Sequence, residues 1–137
     1  MMKSRLPLLL SLLFLVASCE SDKSPEGVAE RFLSNYLELH FKRAARVASP
    51  EVVEQMRWRA SNLTQAEVEL LAQQEEPADI DVEDVVELGD SCIVVLTAHD
   101  ALVADSIDRP AYIGSTRYRV TLKKKKGDNW MVTALSL

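Results

Sequence analysis

Hydrophobic residues follow one period in the first half of the chain and another in the second, and the change falls near Pro77. Upstream, Val28, Phe32, Tyr36 and Leu39 recur at spacings of three and four, and Ala29, Leu33 and Leu37 widen the stripe. That repeat predicts an amphipathic helix of about seventeen residues ending at His40. Ser24-Pro25-Glu26 marks its start: serine can cap, proline suits the first helical position, and an acid favours the positive end of the dipole. Residues 42–48 read as a second, short helix. Ser49-Pro50-Glu51 repeats the opening signal, and a third helix follows through Val52, Val53 and Met56 to Trp58. Thr64-Gln65-Ala66-Glu67 fits a capping box, because the glutamate stands three residues after the threonine. The helix it opens runs through Val68, Leu70 and Leu71, and Glu75-Glu76-Pro77 stops it.

Beyond Pro77 the period drops to two. Ile80 and Val82 alternate with Asp79, Asp81 and Glu83, as in a strand with one wet face. Val85-Val86 break that phase and predict a bulge near Glu83-Asp84. Gly89-Asp90 is a turn. Residues 92–98 are apolar on both faces and predict a central strand. Residues 115–123 alternate, with Thr116, Tyr118, Val120 and Leu122 on one side and Arg117, Arg119 and Thr121 on the other. Gly127-Asp128 closes a hairpin onto residues 130–137. Between these strands, residues 100–114 form the one long irregular stretch. Helices first and an antiparallel sheet afterwards make an α+β plan, with N-terminal helices packed on one face of a curved antiparallel sheet.

The first residues follow a different logic. Lys3 and Arg5 precede an apolar run over residues 6–16. About eleven residues are too few to cross a hydrocarbon core that needs roughly twenty. A basic start, an apolar middle and small residues before a cut site make a secretory signal. Leu15-Val16-Ala17-Ser18-Cys19 resembles the lipobox of bacterial lipoproteins, in which the cysteine becomes the new N-terminus and carries the lipid. An ordinary cleaved signal would accept Ala17-Ser18 but has no use for Cys19. The expected division is therefore a signal over residues 1–18, a lipidated cysteine and polar tether over 19–24, and one α+β domain over 25–137. Glu20 stands where enterobacterial lipoproteins retained in the inner membrane carry aspartate, so for a Gram-negative source the resemblance implies the outer membrane, facing the periplasm.

Charge and cysteine count narrow the function. The chain has 21 acidic and 16 basic residues, and losing Lys3 and Arg5 would make it more acidic still. Net acidity argues against a nucleic-acid partner. Of the two cysteines, lipid on Cys19 would leave Cys92 alone, with no intramolecular disulfide. Cys92 falls on the expected central strand, which favours a buried, inert thiol. His40 and His99 are the only histidines, and with scattered acids they define no metal site. His99-Asp100 has the composition of an acid–base pair, but neighbours on a strand point to opposite faces, so a solvent-facing strand end is the plainer reading. No GxSxG elbow, HExxH or phosphate-cradling glycine loop is present. Residues 67–90 hold ten acids and no base, and residues 109–126 hold seven bases and no acid. Either the two stretches neutralise each other as neighbouring strands or they form a dipolar docking surface. The lysine run at 123–126 is a solvated hairpin tip or a contact for anionic headgroups.

Ser24-Pro25-Glu26-Gly27-Val28-Ala29-Glu30-Arg31-Phe32-Leu33 resembles the opening helix of small bacterial lipoproteins with a nuclear-transport-factor-2-like fold. The stretch Tyr118 to Leu122, a glycine turn and Trp130-Met131-Val132 is similar to that family's last hairpin. The resemblance implies a cone-shaped half barrel whose mouth holds a small molecule, with some members isomerases or dehydratases and many only binding or assembling. It places Tyr36 where steroid-isomerase members carry a tyrosine, but supplies no residue for the general base or the second acid. The candidate ligand contacts are Tyr36, His99, Tyr112 and Tyr118, with Tyr112 on the long loop as a stacking group.

Together these readings predict a lipid-anchored binding or assembly domain in the cell envelope. It would hold the membrane through Cys19 and take a protein partner, a second copy of itself or a small apolar ligand, with no catalytic residue, metal or cofactor. The alternative is a small cone-fold enzyme, an isomerase or hydrolase of an envelope metabolite. Replacing Cys19 by alanine is expected to abolish fatty-acid labelling and release the protein from the membrane fraction; unchanged labelling and partition would remove the lipid anchor.

Overall fold

The computed structural model describes residues 23–104 and 109–137; the expected signal and Cys19 lie outside the described residues. The described elements are α1 (Pro25–Leu37), α2 (Phe41–Ala45), α3 (Pro50–Ser61), α4 (Gln65–Ala72), β1 (Asp79–Leu88), β2 (Ser91–Val103), β3 (Tyr112–Lys124) and β4 (Trp130–Ser136).

The polar punctuation does what its chemistry requires. Ser24 Oγ accepts from the Gly27 N–H at 3.1 Å, and Ser49 Oγ accepts from the Val52 N–H at 3.4 Å. At α4 the capping box closes in both directions. Thr64 Oγ1 accepts from the Glu67 N–H at 3.3 Å, and Glu67 Oε2 accepts from the Thr64 N–H at 3.2 Å.

α1 stops earlier than its apolar stripe suggests. The His40 N–H donates to the Asn35 carbonyl at 2.8 Å and the Leu39 N–H to the Tyr36 carbonyl at 3.1 Å. This pair of bonds is a Schellman ending, and it puts Leu39 at φ 64°, where glycine is the usual occupant. Leu39 therefore keeps the spacing of the stripe but leaves the helix.

The sheet is an open antiparallel meander in the order β1-β2-β3-β4. Its β4 edge is covered by the link between α2 and α3: the Val132 N–H donates to the Val47 carbonyl at 2.7 Å, and the Ser49 N–H donates to the Val132 carbonyl at 2.8 Å. Ser49 thus both caps α3 and pins it to the sheet. The β1 edge is exposed along most of its length, and its acidic side chains discourage pairing with another strand.

The register shifts between Val82 and Asp84, which leaves Glu83 as the extra residue and meets the expected bulge. A second shift falls between Ala98 and Ala101, with Asp100 at φ 54°. It corrects the expected loop. β2 continues beyond the bulge to Val103, and Ala101, Leu102 and Val103 pair with Gly114, Ile113 and Tyr112. Six residues of the stretch that looked irregular belong to the ladder, because one left-handed residue absorbs the break in alternation.

β2 is the interior strand that the sequence predicts, between β1 and β3. Cys92, Val94, Leu96 and Ala98 are buried, but Ile93 and Val95 are half-buried on a face no described helix covers. The helices lie on one side only. α1 touches all four strands and brings Ala29, Phe32 and Leu33 against Leu96, Val120, Leu122 and Val132. The α+β plan holds, with a sheet that stays open.

Phe32 is fully buried at the centre of this packing. Phe32→Ala is expected to cost about 3–5 kcal/mol of unfolding free energy in urea titration. A loss under about 1 kcal/mol would remove α1 from the centre of the core.

Candidate functional site

Where the C-terminal end of α1 passes α3, the helices leave an open cleft of about 210 Å³ above the inner face of the sheet. Tyr36 from the last turn of α1, Gln55 and Arg59 from α3, Tyr118 from β3 and Ser136 from the end of β4 bring polar groups to it. Leu37, Leu39, Trp58, Leu102, Leu135 and Leu137 supply apolar walls.

Tyr36, Gln55 and Arg59 are each held by something behind them. Tyr36 stacks on Phe32 at 6.1 Å between centroids and meets Phe41 edge-on at 5.8 Å. Gln55 Nε2 donates to the Leu135 carbonyl at 3.3 Å, tying α3 to β4. Arg59 Nη1 donates to Glu67 Oε2 at 3.0 Å, and both side chains are largely buried. Because the same Glu67 oxygen accepts from the Thr64 N–H, the cap of α4 also fixes the arginine. A buried pair of this kind adds little net stability but is costly to break, so it locks a geometry more than it strengthens the fold.

The phenols are tuned by burial. Desolvation raises the Tyr36 hydroxyl above its ordinary pKa, and the neighbouring Arg59 guanidinium offsets part of the rise through its charge and a hydrogen bond. Tyr118, 8% exposed, is pushed up to about 12 by burial, with the nearby Tyr36 adding and Arg59 opposing. Both hydroxyls therefore stay protonated at neutral pH and can donate as well as accept. Trp58 stands at the mouth, 67% exposed, with its indole offered to solvent.

Of the sequence candidates, the fold brings Tyr36 and Tyr118 together and leaves His99 and Tyr112 outside the cleft. His99 lies on the outer face, with Nε2 3.1 Å from Asp81 Oδ2 and Nδ1 3.1 Å from Ser115 Oγ. It forms no pair with Asp100, which is spent on the bulge; the Asp100 carbonyl accepts a hydrogen bond from Gln74 Nε2. Tyr112 begins β3 rather than sitting on a loop rim, and its ring covers Gly114, where an added Cβ would come within 2.9 Å of it. Gln55, Trp58 and Arg59 were missed. Their signal was present: Val52, Gln55, Met56 and Arg59 recur at the spacing of one helix face, so two polar residues share the inward stripe.

Cys92 is buried on the inner face of β2, and burial raises its thiol, with Glu87 and Glu26 adding. The acidic and basic stretches are not strand neighbours, since β2 separates β1 from β3. They meet across it at Glu83, which accepts from the Thr97 hydroxyl and from Arg117 Nη2 at 2.9 Å. The Thr97 hydrogen bond, with help from Arg117 and His99, holds the Glu83 carboxyl below the usual range. Among the described residues no group of three or more His, Cys, Asp or Glu side chains could hold a metal ion, and no helix is long and apolar enough to cross a membrane.

No family model matches the chain, and no curated protein does. Its fold is similar to the solution structure of RPA3114, a SEC-C motif containing protein from Rhodopseudomonas palustris, at 20% identity and a TM-score of 0.49, covering 89% of this chain and 84% of that one. A likeness at that level fixes neither family nor function. The expected kinship is corrected: no family model joins the chain to lipoproteins of nuclear-transport-factor-2-like fold, and the similar solved structure is a SEC-C motif protein.

The raised tyrosines make stability fall at high pH. An unfolded tyrosine ionises near pH 10, about two units below folded Tyr118. Between those values the unfolded chain has released a proton that the folded one keeps, so each step up in pH favours unfolding. Stability is expected to be full below pH 10 and to drop on the order of 2 kcal/mol towards pH 12, and Tyr118→Phe should flatten part of that slope. Urea unfolding at half-unit steps from pH 9 to 11.5 tests this; identical slopes in parent and variant would contradict it.

Proposed function

We propose that this chain is a membrane-tethered binding module without catalytic chemistry of its own, whose cleft takes a small amphipathic ligand. The layout of the cleft carries the reading: protonated Tyr36 and Tyr118, Gln55 and Arg59 gather in one pocket walled by leucines, with Trp58 at the mouth. A few convergent polar groups in an apolar concavity are how small-molecule sites combine affinity with orientation. Glu67 already meets the charge of Arg59, so the site favours a neutral head that exchanges hydrogen bonds, such as a hydroxyl, ester or carbonyl. A cleft of about 210 Å³ suits a small ligand with an apolar body.

The enzyme alternative finds less support. General acid–base work at neutral pH needs a group that titrates near 7. Both phenols are held above their ordinary pKa, and Glu67 is committed to Arg59 and to the Thr64 N–H. A protein partner is a second reading, favoured by Val86 and Leu88 exposed beside half-buried Ile93 and Val95 on the uncovered sheet face.

In this reading lipid on Cys19 supplies the tether. The residues between it and α1, fully extended, span at most about 17 Å, so the domain would ride close to the bilayer. The register shifts in the sheet would bend it towards a shallow half cone around the cleft.

Titration with 1-octanol, methyl octanoate and octanoate, followed by NMR, tests the cleft. Saturable shifts of the Trp58 indole N–H are expected with the two neutral probes. Tyr36→Phe combined with Tyr118→Phe should weaken them about tenfold, in keeping with two lost hydrogen bonds. Probes that leave the Trp58 and Leu102 signals unmoved would overturn the reading.

A further inference from the structure

The sheet face that no described helix covers is ordered in rows running across the strands. Asp81 of β1, Thr97 of β2 and Arg117 of β3 make one row, and Asp84, Val95 and Arg119 make the next. Val86, Ile93, Thr121 and Ala134 form a third. The bulge at Glu83 is what puts Asp84 in this set, since without the extra residue its side chain would point to the core side. Acid, neutral and base thus succeed one another from β1 to β3, with half-buried Ile93 and Val95 along the middle and Val86 exposed beside them.

We propose that this face binds a second copy of the chain, sheet against sheet, about a two-fold axis running along β2. Charge selects the axis. Two copies that present the same face to each other are related by an axis lying in the contact plane. An axis across the strands sets β1 on the second copy's β1, acid on acid. An axis along β2 sets β1 on the second copy's β3, acid on base. Asp84 then meets Arg119 of the second copy, twice over by symmetry, and Ile93 and Val95 meet their own counterparts. The twist of each sheet turns the facing strands about 30° apart, as in aligned sandwiches.

The apolar middle supplies the attraction and the flanking charges fix the register. Asp81 and Glu83 are already engaged within the chain, with His99 and Arg117, so the Asp84 row does most of the selecting. Asp84 itself accepts from the Val85 N–H at 3.0 Å, which holds it at the bulge. Four strands roughly 4.8 Å apart and about 27 Å long make a face of about 500 Å². Two copies would bury about 1,000 Å², at the lower bound for a specific contact, so the dimer is weak and reversible. The cleft opens above the other face of the sheet, so this pairing and the ligand reading can fail separately.

Sedimentation of the full chain, with NMR of the isotope-labelled full chain on dilution, tests the pairing. Dilution from about 500 to 20 μM, the range suited to a contact of this size, should move the amide signals of Val86, Ile93, Val95 and Thr121 and leave the Trp58 indole still. Asp84→Arg and Arg119→Asp should each weaken association at least tenfold. An equimolar mixture of the two variants should restore it, because each then meets the opposite charge on the other. Val95→Asp, which meets only itself across the axis and leaves the bulge untouched, should abolish the dimer alone. A monomer at every concentration overturns the proposal and leaves the face to a different protein. Association that ignores all three substitutions belongs to another surface, such as the apolar run over residues 6–16, and overturns it as well. A mixture no stronger than its components, or a dimer that survives Val95→Asp, overturns the axis.

Discussion

One-sided burial governs this molecule. A four-stranded sheet has two faces, and the described helices cover only one of them, so the inner face must carry the core and whatever site the core supports. α1 lies across all four strands, and its fully buried Phe32 and Leu33 each contribute roughly 1.5–3 kcal/mol by leaving water. The orientation of α1 sets where the cleft opens, because Tyr36 follows Phe32 by one turn and stacks upon it. α3 is placed by a different device. Ser49 caps it and joins it to β4, so Gln55 and Arg59 reach the cleft from a helix anchored at its first residue.

Two residues other than glycine adopt left-handed backbone among the described positions, Leu39 and Asp100. That conformation costs roughly 1–2 kcal/mol for an ordinary side chain. Both border the cleft in sequence. Leu39 lines it directly, and Asp100 makes the bulge after which β2 presents Leu102 to it. Strain collected beside a concave site is common where geometry matters more than stability. The buried Arg59–Glu67 pair belongs to the same pattern, since an apolar replacement could pack as well but would not aim a guanidinium at Tyr36.

Charge is arranged by strand order as much as by composition. β1 carries acids along a free edge, β3 carries bases, and half-buried Ile93, Val95 and Thr97 of β2 stand between them. Arg117 of β3 crosses β2 to reach Glu83 of β1, and His99 of β2 reaches Asp81. Four lysines, Lys123 to Lys126, gather at the hairpin.

Helix starts, the capping box, the Glu83 bulge, the glycine turns and the α+β order were all legible in the sequence. Each is decided within a few residues, by a side chain bonding its own backbone or by a period that commits one face to the core. The end of α1 and the length of β2 were not legible, because Leu39 and Asp100 give no local sign of left-handed backbone; long-range pairing and packing hold them there. The site divides the same way. Tyr36 and Tyr118 could be named as candidates, while His99 and Tyr112 looked equally good until register put the first on the outer face and the second over Gly114. Sequence alone determined the inward face of α1 up to Leu37 and of β3 from Tyr118 to Leu122. Only the tertiary structure decided which inward residues meet, because Arg59, Tyr36 and Tyr118 are neighbours through the crossing of two helices over a strand, and no spacing along the chain records that crossing.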